Sequence, residues 1–346
     1  MKYKNVFYFK AINSVGGCES FFYYLAKNYK NIVIFYREGN PEQIKRLAKL
    51  VEVRKFKEQR IECDNFFCCY NPDILDYVDA NNYVHLIHCD YKNVWFSPIT
   101  NPKFNKYIAV SKVAGESFKE LTGIDYELIY NPIKIEKPKK EKKKDNKLHL
   151  ISATRLTREK GLKRMQKLCY LLNQADINYE WTIFTNRRRE AVGQNTIYKE
   201  PTLDIIDEIA KADYLVQLSD CEAYCYSVVE ALSCGVPVIA TDLPVLKEIG
   251  LKHGENGVIC DFNMNNVDLE MIKRGFEPFE YEPPKSEWGK YLDNDTNYNP
   301  NDIIKVRTKR KYTDLVLGHL MRNEIVDMTK DRASYLEAKD LVEIIW

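Results

Sequence analysis

The sequence contains no apolar run that approaches the roughly 20 residues of a membrane-spanning helix. Its first ten residues combine Lys2 and Lys4 with only a short apolar stretch, so we predict neither a signal peptide nor a spanning segment. A strong charge of one sign is also absent, because 52 basic and 50 acidic residues leave a net charge of +2. That balance argues against a protein dedicated to nucleic acid. We expect a soluble, cytoplasmic protein with at most peripheral membrane contact.

Sequence patterns that bind metals are missing as well. The ten cysteines, which include the neighbours Cys68 and Cys69, contain no pair of Cys-x-x-Cys units. Free thiols in a reducing compartment are therefore the simplest interpretation. No Asp-x-Asp follows a predicted strand, since Asp293 and Asp295 lie in a polar break. We predict no metal site and no cofactor.

What the sequence does contain is an alternation of short apolar runs with helical patterns. Among its 346 residues, 45% are hydrophobic and 29% are charged, which is typical of a globular chain long enough for two domains. The alternation predicts parallel, doubly wound, Rossmann-like sheets. Predicted strands cover residues 6–9, 31–36, 66–70, 83–87, 107–110, 148–152, 181–185, 214–218 and 236–240. Predicted helices cover residues 18–29, 44–50, 162–172, 205–210 and 227–233.

A lysine-dense segment separates two such alternations and marks a boundary between domains. The predicted units are an N-terminal domain (1–136), a linker (137–147), a C-terminal domain (148–275), a crossover helix with a polar break (276–300) and a small β-rich appendage (301–346). Two sheets joined by one linker leave a cleft between their facing strand ends. Clefts of this kind are the preferred binding places of small molecules.

Two carboxylates, Glu222 and Glu230, are separated by seven residues in the second alternation. The first follows the predicted strand 214–218, and the second lies in the predicted helix 227–233. Ligands of open parallel sheets bind at the carboxyl ends of the strands, and the free amides at a helix start, here near Ser227 and Val228, can hold a phosphate. An acid pair beside an anion site suits a nucleotide sugar.

This stretch resembles the signature of glycosyltransferase family 4, whose members are retaining enzymes of the GT-B fold. The matching residues are Glu222, Glu230, Ala231, Gly235, Pro237, Val238, Ile239 and Ala240. Cys225 stands where the family usually has a glycine. The resemblance covers about residues 1–262. It implies that Glu230 holds the ribose, that Glu222 holds the donor sugar, and that the helix start at Tyr226, Ser227 and Val228 faces the diphosphate.

Other elements match the same family by position. In the segment from Ser152 to Gly161, the resemblance places Arg155 and Lys160 on the donor diphosphate, which suits a guanidinium fork and an ammonium. Gly16 and Gly17 would face the donor phosphate across the cleft, where glycine allows close approach or a positive φ. His88 would lie near the reacting sugar.

A plain tight turn at the glycine pair and a structural histidine are the alternative interpretations of these N-terminal residues. Ser111 matches an architectural element, and we predict that it caps the helix that follows it.

The last 46 residues differ in character from the rest of the chain. Predicted strands cover residues 303–306, 315–317, 324–327 and 341–345, and a capped helix is predicted at 329–338. The segment resembles small modules at the ends of bacteriophage head and tail proteins through Asp331, Arg332, Ala333, Leu336 and residues 341–344. A short appendage that only packs on the enzyme is the alternative, and recruitment of the acceptor is the role that we favour.

The sequence therefore predicts a metal-independent, retaining glycosyltransferase. It would move a sugar from a nucleotide-diphosphate sugar to a glycan, a lipid carrier or a protein. Two other functions stay open: a sugar-nucleotide epimerase of the same fold, and a phage-associated binding protein with an inert transferase core.

Overall fold

The structure is a computed structural model that describes residues 2–13, 16–70, 73–136, 138, 145–186 and 190–345. The N-terminal domain contains nine strands: β1 (Lys2–Tyr8), β2 (Ala11–Ile12), β3 (Ile32–Tyr36), β4 (Glu38–Gly39), β5 (Glu52–Lys55), β6 (Ile61–Cys68), β7 (Val78–Ile87), β8 (Lys106–Ala109) and β9 (Glu127–Leu128). Its helices are α1 (Gly17–Asn28), α2 (Pro41–Ala48) and α3 (Lys112–Thr122). Most of the predicted linker, residues 137 and 139–144, lies outside the described residues.

The C-terminal domain repeats this alternation. Its strands are β10 (Leu148–Ala153), β11 (Tyr179–Phe184), β12 (Thr196–Lys199), β13 (Tyr214–Gln217), β14 (Val238–Thr241) and β15 (Gly257–Cys260). Its helices are α4 (Leu162–Gln174), α5 (Ile205–Ile209), α6 (Tyr226–Ser233), α7 (Pro244–Glu248) and α8 (Leu269–Arg274). The predicted strands and helices of both domains are present, with ends that move by a few residues.

Both large sheets are parallel and share one strand order. The N-terminal sheet runs β5-β3-β1-β6-β7-β8-β9, and the C-terminal sheet runs β12-β11-β10-β13-β14-β15. In each, the chain winds outwards from a central strand and then returns to its other side, so the order reverses between β1 and β6 and between β10 and β13. Ligands of such sheets bind at the carboxyl ends of the strands at this switch point. The predicted α/β architecture is confirmed.

Buried side chains on both faces hold the C-terminal sheet in place. Along β10, Leu150 belongs to the core on one face and Ile151 to the core on the other. Leu215 and Val216 alternate in the same way along β13. Near-continuous apolar strands of this kind are expected where a parallel sheet is covered on both sides.

Contacts between the domains join the N-terminal end of α3 to the C-terminal domain. The Glu248 carboxylate accepts hydrogen bonds from the amides of Lys112 at 2.6 Å and Val113 at 3.3 Å. A carboxylate at this end of a helix is favoured, because the amides there lack partners within the helix. Ser111 caps the same helix by accepting a bond from the amide of Ala114, as predicted.

The crossover between the C-terminal domain and the appendage is an extended segment with one 3₁₀ turn at Trp288–Lys290, so the predicted crossover helix is wrong. Pro278, Pro283 and Pro284 precede that turn, and proline removes an amide donor and clashes with the preceding helical turn. The segment still returns to the N-terminal domain. The Trp288 side chain is fully buried there against Phe7, Phe21 and Phe67.

The appendage is a separate small β structure that packs on the N-terminal domain. It contains β16 (Ile303–Thr308), β17 (Tyr312–Asp314), β18 (Gly318–Leu320), β19 (Ile325–Thr329), α9 (Lys330–Ala338) and β20 (Val342–Ile344). An antiparallel sheet has the order β19-β16-β20, and β17 and β18 form a hairpin.

One predicted strand of the appendage, 315–317, is wrong. These residues form the turn of the hairpin, where Leu315 is fully exposed. The apolar run suggested a buried strand, but the following Gly318 has a φ of +78°, a conformation that glycine adopts without strain.

We predict that the tryptophan of the crossover is a main determinant of stability. Replacing Trp288 with Ala should lower the free energy of unfolding by about 3–5 kcal/mol, because it empties a closely packed aromatic site. Trp95, which is 95% exposed, provides the matched control, and its replacement should change stability by no more than about 0.5 kcal/mol. Urea denaturation of both variants measures the difference, and equal losses would contradict this account of the crossover.

Candidate active site

A cavity of about 430 Å³ lies between the two domains, at the carboxyl ends of the switch-point strands of both sheets. Most of the predicted site residues line it: Gly16, Gly17, His88, Arg155, Lys160, Glu222, Tyr226, Ser227 and Glu230. Val228 is fully buried and does not line this cavity. Residues more than 200 positions apart in the sequence thus meet in one place.

Glu222 follows β13 and is held by three hydrogen bonds to one carboxylate oxygen. Its Oε1 accepts from Lys160 Nζ at 2.6 Å, from Ser219 Oγ at 2.7 Å and from Gln217 Nε2 at 2.9 Å. Sequence reasoning missed Gln217 and Ser219. The one available signal is that Gln217 interrupts an otherwise apolar buried strand, where a polar side chain needs a partner. The three bonds fix the carboxylate at the cavity wall.

Lys160 forms a partly buried ion pair with Glu222. Burial opposes the charge of the Lys160 ammonium, but the charge of Glu222 and its hydrogen bond outweigh this effect, so the pKa of Lys160 is raised above its ordinary value. The lysine therefore carries a positive charge at neutral pH. An ammonium has three donors, so this bond to Glu222 leaves donors for a ligand.

The loop that carries Lys160 depends on Gly161. This residue has a φ of +81°, and a Cβ there would lie 1.8 Å from the carbonyl oxygen of Leu218. Only glycine fits such a close approach of two backbones. Arg155, at the other end of the loop, is about half exposed and lies 3.6 Å from Glu159. Its guanidinium is therefore accessible from solvent beside the cavity.

Glu230 lies on α6 and is buried at the boundary between the domains. Its Oε1 accepts a hydrogen bond of 2.9 Å from the hydroxyl of Tyr24, which belongs to α1 of the other domain. Burial raises the pKa of Glu230 to about 7, although the Tyr24 hydrogen bond and the charge of Arg46 act in the opposite direction. Sequence reasoning missed Tyr24, because nothing local distinguishes it from its neighbour Tyr23.

The start of α6 has an uncommon backbone conformation. Cys225, the residue before the helix, has φ of +70° and ψ of +74°. Glycine adopts a positive φ without strain, which fits the glycine at this position in the family that the stretch resembles. A non-glycine residue adopts this conformation at a cost of about 1–2 kcal/mol. The amide of Val228 already donates to the Cys225 carbonyl at 3.2 Å. Of the three residues predicted to face the diphosphate at the helix start, Tyr226 and Ser227 therefore line the cavity and Val228 does not.

On the opposite wall, Gly17 leaves open space. A Cβ at this residue would have no atom within 4 Å, and Gly16 has an extended backbone with φ of −141°. Among the described residues, neither a positive φ nor a steric clash requires glycine at position 17, which lines the cavity.

His88 packs edge-on against Phe21, with ring centroids 4.7 Å apart. Burial and the neighbouring His85 lower the pKa of His88 to about 3, so its ring is neutral at pH 7. Among the described residues, the buried His88 Nε2 has no hydrogen-bond partner.

A second cavity of about 240 Å³ shares Glu222 with the first. Asp90, Asn93 and Val113 line it from the N-terminal domain, and Pro244 lines it from the other. Asp90 is buried, and its carboxylate accepts a bond of 2.7 Å from Asn93. The two cavities meet at one carboxylate.

The described residues offer neither a metal cluster nor a membrane-spanning helix. No group of three or more His, Cys, Asp or Glu side chains in this part of the chain is arranged to hold a metal ion. In the same residues, the helices are all too short or too polar to cross a membrane.

One comparison with known proteins matches the region of the C-terminal domain. The family described as "Glycosyl transferases group 1" matches residues 133–277, and the protein is a glycosyltransferase. No curated protein matches the chain.

Solved structures are similar in fold over most of the chain. HepE from Anabaena, in complex with UDP and glucose, is similar over 79% of this chain and 89% of its own, with a TM-score of 0.61 and 16% identity. A glycosyltransferase from Rickettsia africae is similar over 79% of this chain and 88% of its own, with a TM-score of 0.57 and 14% identity. These likenesses, together with the two facing parallel sheets, confirm the predicted GT-B fold.

The raised pKa of Glu230 predicts how stability depends on pH. The folded protein retains a proton up to about pH 7, whereas the unfolded chain releases it near the ordinary value of 4.5. Because the unfolded chain then binds fewer protons, the contribution of Glu230 to the free energy of unfolding falls as the pH rises through this window. Glu230→Gln stays neutral, so relative to wild type it should gain roughly 3 kcal/mol between pH 4.5 and pH 7.5.

Urea denaturation at several pH values measures this gain. Glu255→Gln is the matched control, because the Glu255 side chain is 67% exposed. Parallel stability curves for Glu230→Gln and wild type would show that Glu230 titrates normally.

Proposed function

We propose that the protein is a metal-independent, retaining glycosyltransferase whose donor is a nucleotide-diphosphate sugar. One observation carries the proposal: the switch points of both sheets open into one cavity that contains two fixed carboxyl groups and a partly buried ammonium. A single parallel sheet would supply a nucleotide site, whereas two facing sheets also supply room for a second substrate. The match to group 1 glycosyltransferases supports the assignment.

In this proposal, the nucleotide binds to the C-terminal domain. Glu230 accepts hydrogen bonds from the ribose hydroxyls, and the start of α6 at Tyr226 and Ser227 faces the diphosphate. Lys160 and Arg155 supply positive charge, the first from a partly buried position and the second from the solvent side. Structures of Anabaena HepE, which has a fold similar to that of this chain, contain UDP with glucose or UDP-glucose. UDP and UDP-glucose are therefore the first compounds to test.

The chemical step breaks the bond between the anomeric carbon of the sugar and the diphosphate oxygen. Negative charge then develops on the diphosphate, where Lys160 is already oriented by Glu222. Preorganised charges stabilise such a transition state without the reorganisation that water would need. Glu222 and the neutral ring of His88 would hold the hydroxyls of the donor sugar. The acceptor oxygen forms the new bond on the face that the diphosphate leaves, and its proton passes to the leaving group.

The second cavity is the place that we assign to the acceptor. It shares Glu222 with the donor cavity, so an acceptor hydroxyl there would lie next to the reacting sugar. The buried carboxylate of Asp90 can accept a hydrogen bond from that hydroxyl. A glycan, a lipid carrier and a protein side chain could each present such a group.

The donor assignment predicts a difference between a nucleotide and its nucleoside. Lys160→Ala should weaken UDP binding by roughly 10- to 100-fold, because it removes a charge-assisted contact from a partly buried site. Arg155→Ala should have a smaller effect, since solvent screens this exposed side chain. Uridine binding should change little in both variants. Lys163→Ala, on the exposed face of α4, is the control for calorimetry. Equal losses for UDP and uridine would remove Lys160 from the diphosphate site.

The Glu222→Gln substitution should lower the turnover of the donor sugar without lowering the affinity for UDP. The variant keeps the size of the side chain but leaves the charge of Lys160 uncompensated, so UDP affinity should stay constant or rise. Hydrolysis of the donor sugar should fall by about 100-fold or more, because the carboxylate acts on the sugar.

The assay that tests the function is turnover of a panel of radiolabelled nucleotide sugars, with and without EDTA. Equal rates under both conditions are expected. A strict metal requirement would refute the proposed chemistry, an epimerised nucleotide sugar as product would indicate an epimerase, and binding without any turnover would indicate an inert core.

A further inference from the structure

The tip of the hairpin in the appendage exposes three consecutive apolar side chains. Leu315 is 100% exposed, Val316 72% and Leu317 40%. The appendage has its own small core around Val306 and Met328, and none of these three residues belongs to it. Contiguous exposed apolar residues are a mark of binding surfaces.

The tip is an ordered turn. The Asp314 carboxylate accepts hydrogen bonds of 2.9 Å from the amides of Val316 and Leu317. The same carboxylate forms an ion pair with Arg332 of α9. Burial of Asp314 opposes its charge, but Arg332 and the two amides outweigh this effect and hold its pKa below the ordinary value. The turn is therefore anchored to the helix that packs on the N-terminal domain.

Cationic side chains lie at the base of the hairpin. Lys311 precedes β17 and Arg322 follows β18, and both are exposed. Among the described residues, neither has an ion-pair partner. Glu324, the nearest acid in sequence, accepts a hydrogen bond from the amide of Met321. At about 3.3 Å per residue along a strand, the two cations lie roughly 13–17 Å from the tip.

This spacing is larger than the depth to which peripheral proteins enter a bilayer. Apolar side chains of peripheral proteins enter about 5–10 Å into the boundary between headgroups and acyl chains, so cations farther up the hairpin would lie level with the lipid phosphates. Each cation near an anionic surface adds to the attraction. A protein partner fits less well, because a standard protein interface involves roughly 20–30 residues on each side and the tip offers three.

We propose that the hairpin formed by β17 and β18 docks the protein on an anionic lipid bilayer. Leu315, Val316 and Leu317 enter the interface, and Lys311 and Arg322 contact the lipid phosphates. Because three side chains bury little area, the attachment is weak and reversible. It is independent of the proposed transferase activity, since no residue of the cavity takes part.

Flotation with lipid vesicles tests this proposal. The full chain should bind vesicles in which a third of the lipid is phosphatidylglycerol, bind pure phosphatidylcholine more weakly, and dissociate as the salt concentration rises. The double substitution Leu315→Ser with Val316→Ser should lower the partition coefficient at least about tenfold. Leu121→Ser removes another exposed leucine, 54% exposed on α3, and should bind like the wild type. Lys311→Gln with Arg322→Gln should abolish the preference for anionic vesicles.

A second measurement locates the tip in the bilayer. Leu315→Trp should show a blue-shifted emission on addition of anionic vesicles and should be quenched by brominated acyl chains. An unchanged urea midpoint and UDP affinity would confirm that each variant is folded. The proposal is overturned if the wild type does not bind anionic vesicles, or if the tip variant binds them as the wild type does. It is also overturned if the tip substitutions abolish self-association of the protein while lipid binding persists.

Discussion

The contact between α1 and α6 fixes how the two domains meet, and the candidate site depends on it. Tyr24 of α1 donates a hydrogen bond to Glu230 and stacks on Tyr226 of α6, with ring centroids 5.4 Å apart. The Tyr226 hydroxyl in turn donates to the carbonyl of Pro132. If Glu230 holds the ribose, the nucleotide and Tyr24 bind the same carboxylate, so donor binding and the packing of the domains are coupled.

The ion pair between Lys160 and Glu222 imposes a second constraint. A partly buried pair is stable only when its geometry and additional hydrogen bonds offset the loss of hydration, and here Gln217 and Ser219 supply those bonds. The pair keeps both charges in place before a substrate arrives. If Lys160 binds the donor diphosphate, as we propose, the diphosphate meets an ammonium whose orientation is already set.

Local sequence patterns predicted much of this arrangement, whereas contacts between residues that are far apart in the sequence could not be predicted from them. The strand–helix alternation, the acid pair and the loop of Lys160 depend on neighbours in sequence, so a short motif suffices to identify them. The bond of Tyr24 to Glu230 joins residues 206 positions apart, and no pattern within α1 marks it. Apolarity predicted a strand at 315–317 because sequence alone does not say whether an apolar run is buried. The roles of the site residues and the likeness of the appendage to phage modules stay predictions.

Contacts of α9 join the appendage to the N-terminal domain. Glu337 of α9 forms a 2.7 Å ion pair with Lys57, and Ser334 donates to the carbonyl of Val53 in β5, the edge strand of the large sheet. Arg332 of the same helix holds the hairpin tip through Asp314. One helix thus links the tip to the domain that lines half of the cavity. If the hairpin docks on a bilayer as we propose, that domain lies near the lipid surface, where an acceptor at the membrane would be within closer reach than one that is free in solution.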